Sequence, residues 1–112
     1  MSEKEILEAA RRFADQIMTS DTYKEYLYQL EKIKKQPALY EKVNEFRQRN
    51  FDLQNAPESE DLFARLEAFE EEYERFRENP MVDDFLAAEL AVCRMMQDIY
   101  GVLAEQLDFE LY

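Results

Sequence analysis

Asn79-Pro80-Met81-Val82-Asp83-Asp84-Phe85-Leu86 opens the stretch whose reading decides the fold, a helix expected to run to about Leu107. Asn79 suits a cap, and Pro80 fits a first helical position where its missing N–H costs nothing. Asp83 and Asp84 put negative charge near the positive end of the helix macrodipole. With successive residues roughly 100° apart on a wheel, Leu90, Met95, Val102 and Leu107 join Phe85, Leu86 and their apolar neighbours in covering most of the circumference. Only a narrow strip, Arg94, Asp98, Gly101 and Glu105, is left for water. A helix apolar over well more than half its girth must be covered on more than one side. One flank is therefore expected to pack inside the subunit. The other is expected to pack on a second copy through Phe85, Leu86, Glu89, Val92, Cys93, Met96, Ile99, Tyr100 and Leu103.

The rest of the chain is read outward from that helix. A length of 112 residues allows one domain, 1–112, with a single modest core, which makes burial between copies useful. One Gly, three Pro and the absence of any long apolar/polar alternation indicate an all-α fold. Ser2 and Glu5 have capping-box spacing, and Ile6, Leu7, Ala10, Phe13, Ala14, Ile17 and Met18 form the face of a first helix lying on the core. A second helix starts near Ser20-Asp21-Thr22 and ends near Lys35, with Tyr23, Tyr26, Leu27, Leu30 and Ile33 inward.

Pro37 opens a third helix with the stripe Leu39, Val43, Phe46, Asn50 and Leu53. The apolar pattern resumes half a turn out of phase at Leu62, Leu66, Phe69, Tyr73 and Phe76. That shift predicts a break at Asn55-Ala56-Pro57 and a fourth helix opening at Glu58 or Ser59, since Pro within a helix costs about 3 kcal/mol. The alternative is one long kinked helix over 38–78. The short turn at Asn79 makes the fourth and last helices fold back on each other. The apolar residues of the tail Asp108-Phe109-Glu110-Leu111-Tyr112 are expected along a neighbouring helix.

Charge divides the chain. Residues 1–56 carry ten Lys/Arg against ten Asp/Glu, and residues 57–112 carry four against sixteen, which is the whole net charge of −12. A phosphate backbone would be repelled by the second half. Lys32, Lys34, Lys35, Lys42, Arg47 and Arg49 form the cationic concentration near Pro37. They are read as a solvated face or a match for the acidic half of a neighbouring copy, with RNA contact through this elbow as the alternative.

The residue inventory argues against an enzyme. There is no His, so the commonest general base and the Glu-x-x-His metal pairs of ferritin-like bundles are missing. The single Gly101 excludes a phosphate-cradling loop, and the single Cys93 holds neither a zinc site nor an iron–sulfur cluster alone. No cofactor or metal is expected. Glu70-Glu71-Glu72-Tyr73-Glu74 with Glu105 and Asp108 resembles the carboxylate pairs with which all-α nucleotide pyrophosphohydrolases hold magnesium, an alternative weighed against a solvated acidic face. Glu89 interrupts the apolar arc and is read either as a structural acceptor from an Arg or Tyr or as a residue setting interface register, and Asn50 invites the same two readings. No leader pattern and no run of about 18 apolar residues is present, so the protein is expected in the cytoplasm.

The order and spacing of Thr22-Tyr23-Lys24-Glu25-Tyr26, the Lys-rich elbow with Pro37, Val43-Asn44-Glu45-Phe46-Arg47 and Asn79-Pro80-x-Val82-x-x-Phe85-Leu86-x-Ala88-Glu89 resemble the YlbF/YmcA family of bacterial regulators. The resemblance implies a cytosolic, all-helical protein with a long central hairpin, usually self-associated; with the helix pattern above, the expectation is an all-α fold of four to five helices with a long antiparallel helical hairpin, dimerising through the C-terminal helices. The resemblance further implies a non-enzymatic adaptor working through protein partners in RNA processing or developmental control, including RNase Y-type complexes.

Overall fold

The structure, a computed structural model, describes residues 1–108. Among them are five helices and no strand: α1 (Glu3–Met18), α2 (Asp21–Lys34), α3 (Pro37–Gln54), α4 (Leu62–Phe76) and α5 (Pro80–Leu107). The all-α expectation and the helix count hold. The tail from Phe109 onward, expected along a neighbouring helix, lies outside the described residues.

The helix starts follow from local chemistry. Ser2 Oγ accepts from Glu5 N at 3.2 Å while Ser2 N donates to the Glu5 carboxylate at 3.4 Å, the reciprocal capping box. Ser20 Oγ accepts from Tyr23 N at 3.2 Å at the head of α2. Pro37 occupies the first turn of α3. Asn79 Oδ1 accepts from Met81 N at 3.0 Å, and Pro80 is the first residue of α5. Arg77 donates to Asp83 Oδ1 from Nε at 2.9 Å and from Nη2 at 2.7 Å, which fixes the turn before α5. The hydrogen bond to Asp83 raises the Arg77 pKa above its ordinary value.

Residues 38–78 are two helices. α3 ends at Gln54, with Asn55 N donating to Phe51 O, and α4 begins at Leu62. The break lies where the two stripes fall out of phase, and α4 starts a few residues later than Glu58 or Ser59. Ser59 Oγ donates to Asp61 Oδ1 at 2.5 Å, and that bond holds the Asp61 carboxyl below the usual carboxylate range. Ser59 is thus used in the approach to the helix.

The chain divides into two compact units, one made of Met1–Tyr28 with the segment from Ala87 onward, the other of Gln29–Leu86. The Gln29–Leu86 unit has a dense core. Ile33, Val43, Val82 and Phe85 are almost fully excluded from solvent, with Phe46, Leu53, Phe69 and Phe76 also buried. Phe46 of α3 stacks on Phe76 of α4 at 4.8 Å with 13° between planes, and its ring lies 5.6 Å from Phe69 and 6.2 Å from Tyr73. Arg49 reaches across to Glu72 at 2.6 Å. Such ring pairs add about 0.5–1.5 kcal/mol each beyond burial. Asn50, expected within the α3 stripe, is instead exposed and accepts from the Gln54 side chain at 3.4 Å. A short polar group there finds water more cheaply than a buried partner.

The other unit is built differently. No residue of α1 is buried, contrary to the expectation that this helix lies on a core, and Ile6 keeps 54 % of its surface in solvent. Ala88 is the one buried apolar residue among its described members. Phe46→Ala is therefore expected to lower unfolding free energy by about 3–5 kcal/mol. In dilute protein, Ile6→Ala is expected to cost about 1 kcal/mol or less. Urea denaturation of both variants checks the contrast; equal losses would contradict it.

Candidate association surface

Within the first unit, α1, the start of α2 and α5 present their apolar residues to water. Leu7, Phe13 and Met18 of α1, Leu27 of α2, and Leu90, Tyr100, Val102, Leu103 and Leu107 of α5 are all exposed, Tyr100 at 54 % and Leu107 at 67 %. The sequence explains why the helices form and why they remain uncovered. Caps and apolar spacing specify a helix and a face, but these segments have few other apolar elements of their unit to meet. Scattered apolar residues on a surface are ordinary, whereas a series of this length along two helices is a candidate surface for a partner.

An open groove of about 580 Å³ runs along α5, lined by Phe13 of α1 and by Ala91, Arg94, Met95, Asp98, Ile99, Val102 and Leu103. The Ser20 hydroxyl lies 4.0 Å from Met95 Sδ, so the junction between α1 and α2 meets α5 at that level. Arg94 and Asp98 were assigned by the sequence to a strip left for water. They are exposed, and they also flank this apolar groove. Gly101 lies on the same side, where an added Cβ would meet nothing within 4 Å.

The nine residues expected at an interface separate into three groups. Phe85 is 0 % exposed inside the Gln29–Leu86 unit, edge-on to Tyr40 at 6.4 Å and 5.3 Å beneath the Arg47 guanidinium, which leaves it no surface for a partner. Leu86, Glu89, Val92, Met96 and Ile99 are half-buried, and Glu89 is engaged with a partner. Cys93, Tyr100 and Leu103 are exposed. Sequence reasoning missed the apolar groove along Ala91, Met95 and Val102, because on a wheel it merges with the water-facing strip. The i, i+4 spacing of Arg94 and Asp98 inside an apolar surround was the available signal.

The cationic elbow lies in the Gln29–Leu86 unit, and much of it is spent within the chain. Lys34 Nζ is 5.9 Å from the Tyr40 ring, Lys42 Nζ 5.2 Å from Phe76, and the Arg49 guanidinium 5.2 Å from both Phe46 and Phe69. Arg47 also donates to Asn44 Oδ1 at 3.0 Å. Lys32 is half-buried with a partner, and Lys35 is exposed. Cation–ring contacts of this kind contribute about 0.5–1 kcal/mol at exposed sites. The aliphatic stems meanwhile shield the aromatic stack. These cations thus serve the fold before they serve any phosphate.

Among the described residues, no three His, Cys, Asp or Glu side chains are grouped so as to hold a metal ion. Glu70, Glu71, Glu72 and Glu74 belong to one compact unit and Glu105 and Asp108 to the other. No helix among the described residues is long and apolar enough to cross a membrane.

The described residues make a small all-helical module with one well-cored unit and one unit whose apolar residues are largely uncovered. The chain belongs to the family described as control of competence regulator ComK, YlbF/YmcA, which it matches over residues 6–108. It is similar to a UPF0342 protein of Desulfitobacterium hafniense, 27 % identical over 108 residues that cover 91 % of this chain and 84 % of that one. It is also similar to a UPF0342 protein of Caldicellulosiruptor bescii, 22 % identical over 109 residues that cover 96 % and 92 % of the two chains. No solved structure matches it. The resemblance carried by the Thr22–Tyr26 and Asn79–Glu89 motifs is thus family membership.

Proposed function

We propose that the protein is a non-enzymatic regulatory adaptor that associates with itself in the cytoplasm and acts by binding other proteins. The observation that supports this reading most is the uncovered apolar side of α1 and α5. Ile6, Leu7, Phe13 and Met18 of α1 and Leu90, Tyr100, Val102, Leu103 and Leu107 of α5 are exposed, an apolar series of the kind that marks protein-interaction surface. Membership of a family described as competence regulators supports a regulatory role. The partner class we propose is a protein of an RNA-processing or developmental complex, of the RNase Y type implied by the family resemblance.

In this reading α3 and α4 form the antiparallel hairpin. The residues of α4 that meet Phe46 are 69, 73 and 76, and farther along α3 the lining of one cavity pairs Asp52 and Leu53 with Arg65 and Ala68. The hairpin is the rigid body, and the apolar side of α1 and α5 is the binding element.

At tens of micromolar the purified chain is expected to elute as a dimer or larger species by size-exclusion chromatography with light scattering. Leu103→Glu should shift it toward monomer by placing a charge on apolar surface. A wild-type chain monomeric throughout that range would contradict the proposal. Nucleoside triphosphates incubated with the protein and magnesium are expected to remain intact. Turnover that disappears in Glu71→Gln would replace the adaptor reading with the hydrolase one.

A further inference from the structure

The proposed self-association leaves open where two copies meet, and the groove along α5 carries an answer. Its lining is apolar except for Arg94 and Asp98, one cation and one anion a single turn apart. Residues 57–112 hold sixteen acidic groups against four basic ones, so most of this half repels a copy of itself. The groove is a part of that half whose charges sum to zero. Most of its lining on α5 is exposed, at Ala91, Arg94, Asp98, Val102 and Leu103.

We infer that the occupant of this groove is α5 of a second copy, lying antiparallel about a two-fold axis midway between Arg94 and Asp98. A two-fold contact uses the same patch on both chains, so any residue pair across it occurs twice. Centred there, Arg94 faces Asp98 of the second copy, and Asp98 faces its Arg94. The same register brings Ala91 and Met95 of one copy to within about half a turn of Val102 and Ile99 of the other, apolar against apolar within the groove. A parallel pairing would instead oppose Arg94 to Arg94 and Asp98 to Asp98. Phe13 of α1 closes one side of the groove, which gives the first helix a place in the same contact. Opposite charges fixing orientation at an apolar seam are a general means of specifying register.

The inference rests on the self-association proposed above, and the test separates the two. Arg94→Glu and Asp98→Arg are made singly and together in the full chain, with far-UV circular dichroism as the check on helicity. Both side chains are exposed, so the variants are expected to fold. Dissociation constants from sedimentation velocity at low salt are expected to rise about tenfold or more for each single variant, because each change creates two like-charge contacts. The double variant, which exchanges the charges, is expected to return to within about threefold of wild type. An equimolar mixture of the two single variants should associate more tightly than either alone, because every cross-chain pair is then attractive. High salt should shrink these differences. Association of the single variants as tight as wild type would overturn this placement while leaving self-association intact. A wild-type chain that never associates would overturn both.

Discussion

Exclusion of water from apolar side chains is achieved unevenly along this protein, and that imbalance governs the rest. Between Gln29 and Leu86, α3 and α4 enclose a stack of rings around Phe46, and the opening turns of α5 add Val82 and Phe85 to the same core. Each fully buried large side chain contributes about 1.5–3 kcal/mol. In the unit of α1, early α2 and the rest of α5, comparable residues are present but stay in water. A chain of this size has a small margin of stability, so a face of this kind is a cost unless something covers it.

Electrostatics then acts on what burial leaves. Lys34, Lys42 and Arg49 lie against rings, Arg49 also against the Glu72 carboxylate, which reinforces the cored unit and lessens what they can offer a phosphate backbone. The acidic excess of residues 57–112 keeps most surfaces of two copies apart. In the proposed assembly, copies approach at the apolar groove where charge balances, at Arg94 and Asp98. Packing supplies the drive and charge selects the location.

Much of this was legible in the sequence for identifiable reasons. Ser2, Ser20, Pro37, Asn79 and Pro80 mark helix starts through local bonds that do not depend on tertiary context. The phase slip between Leu53 and Leu62 located the break because one straight helix cannot face both stripes inward. Spacing alone did not reveal what each face meets. The α1 stripe has the periodicity of a buried face without a residue that is buried, and Asn50 keeps helical register while pointing to solvent. Phe85 and Tyr100 look alike in a list of apolar residues, yet one closes a core and the other is open to a partner. The lysines near Pro37 read as a free patch because their ring partners are brought in from elsewhere in the chain, Phe76 over Lys42 among them.

The central claim is that the Gln29–Leu86 unit holds itself together while α1 and the later turns of α5 depend on a companion. Amide hydrogen exchange, measured well below and well above the concentration at which the protein associates, tests this most directly. The account predicts slow exchange in α3 and α4 at both concentrations, with α1 and residues 87–107 protected only in the associated state. Equal protection of α1 in the dilute monomer would contradict it.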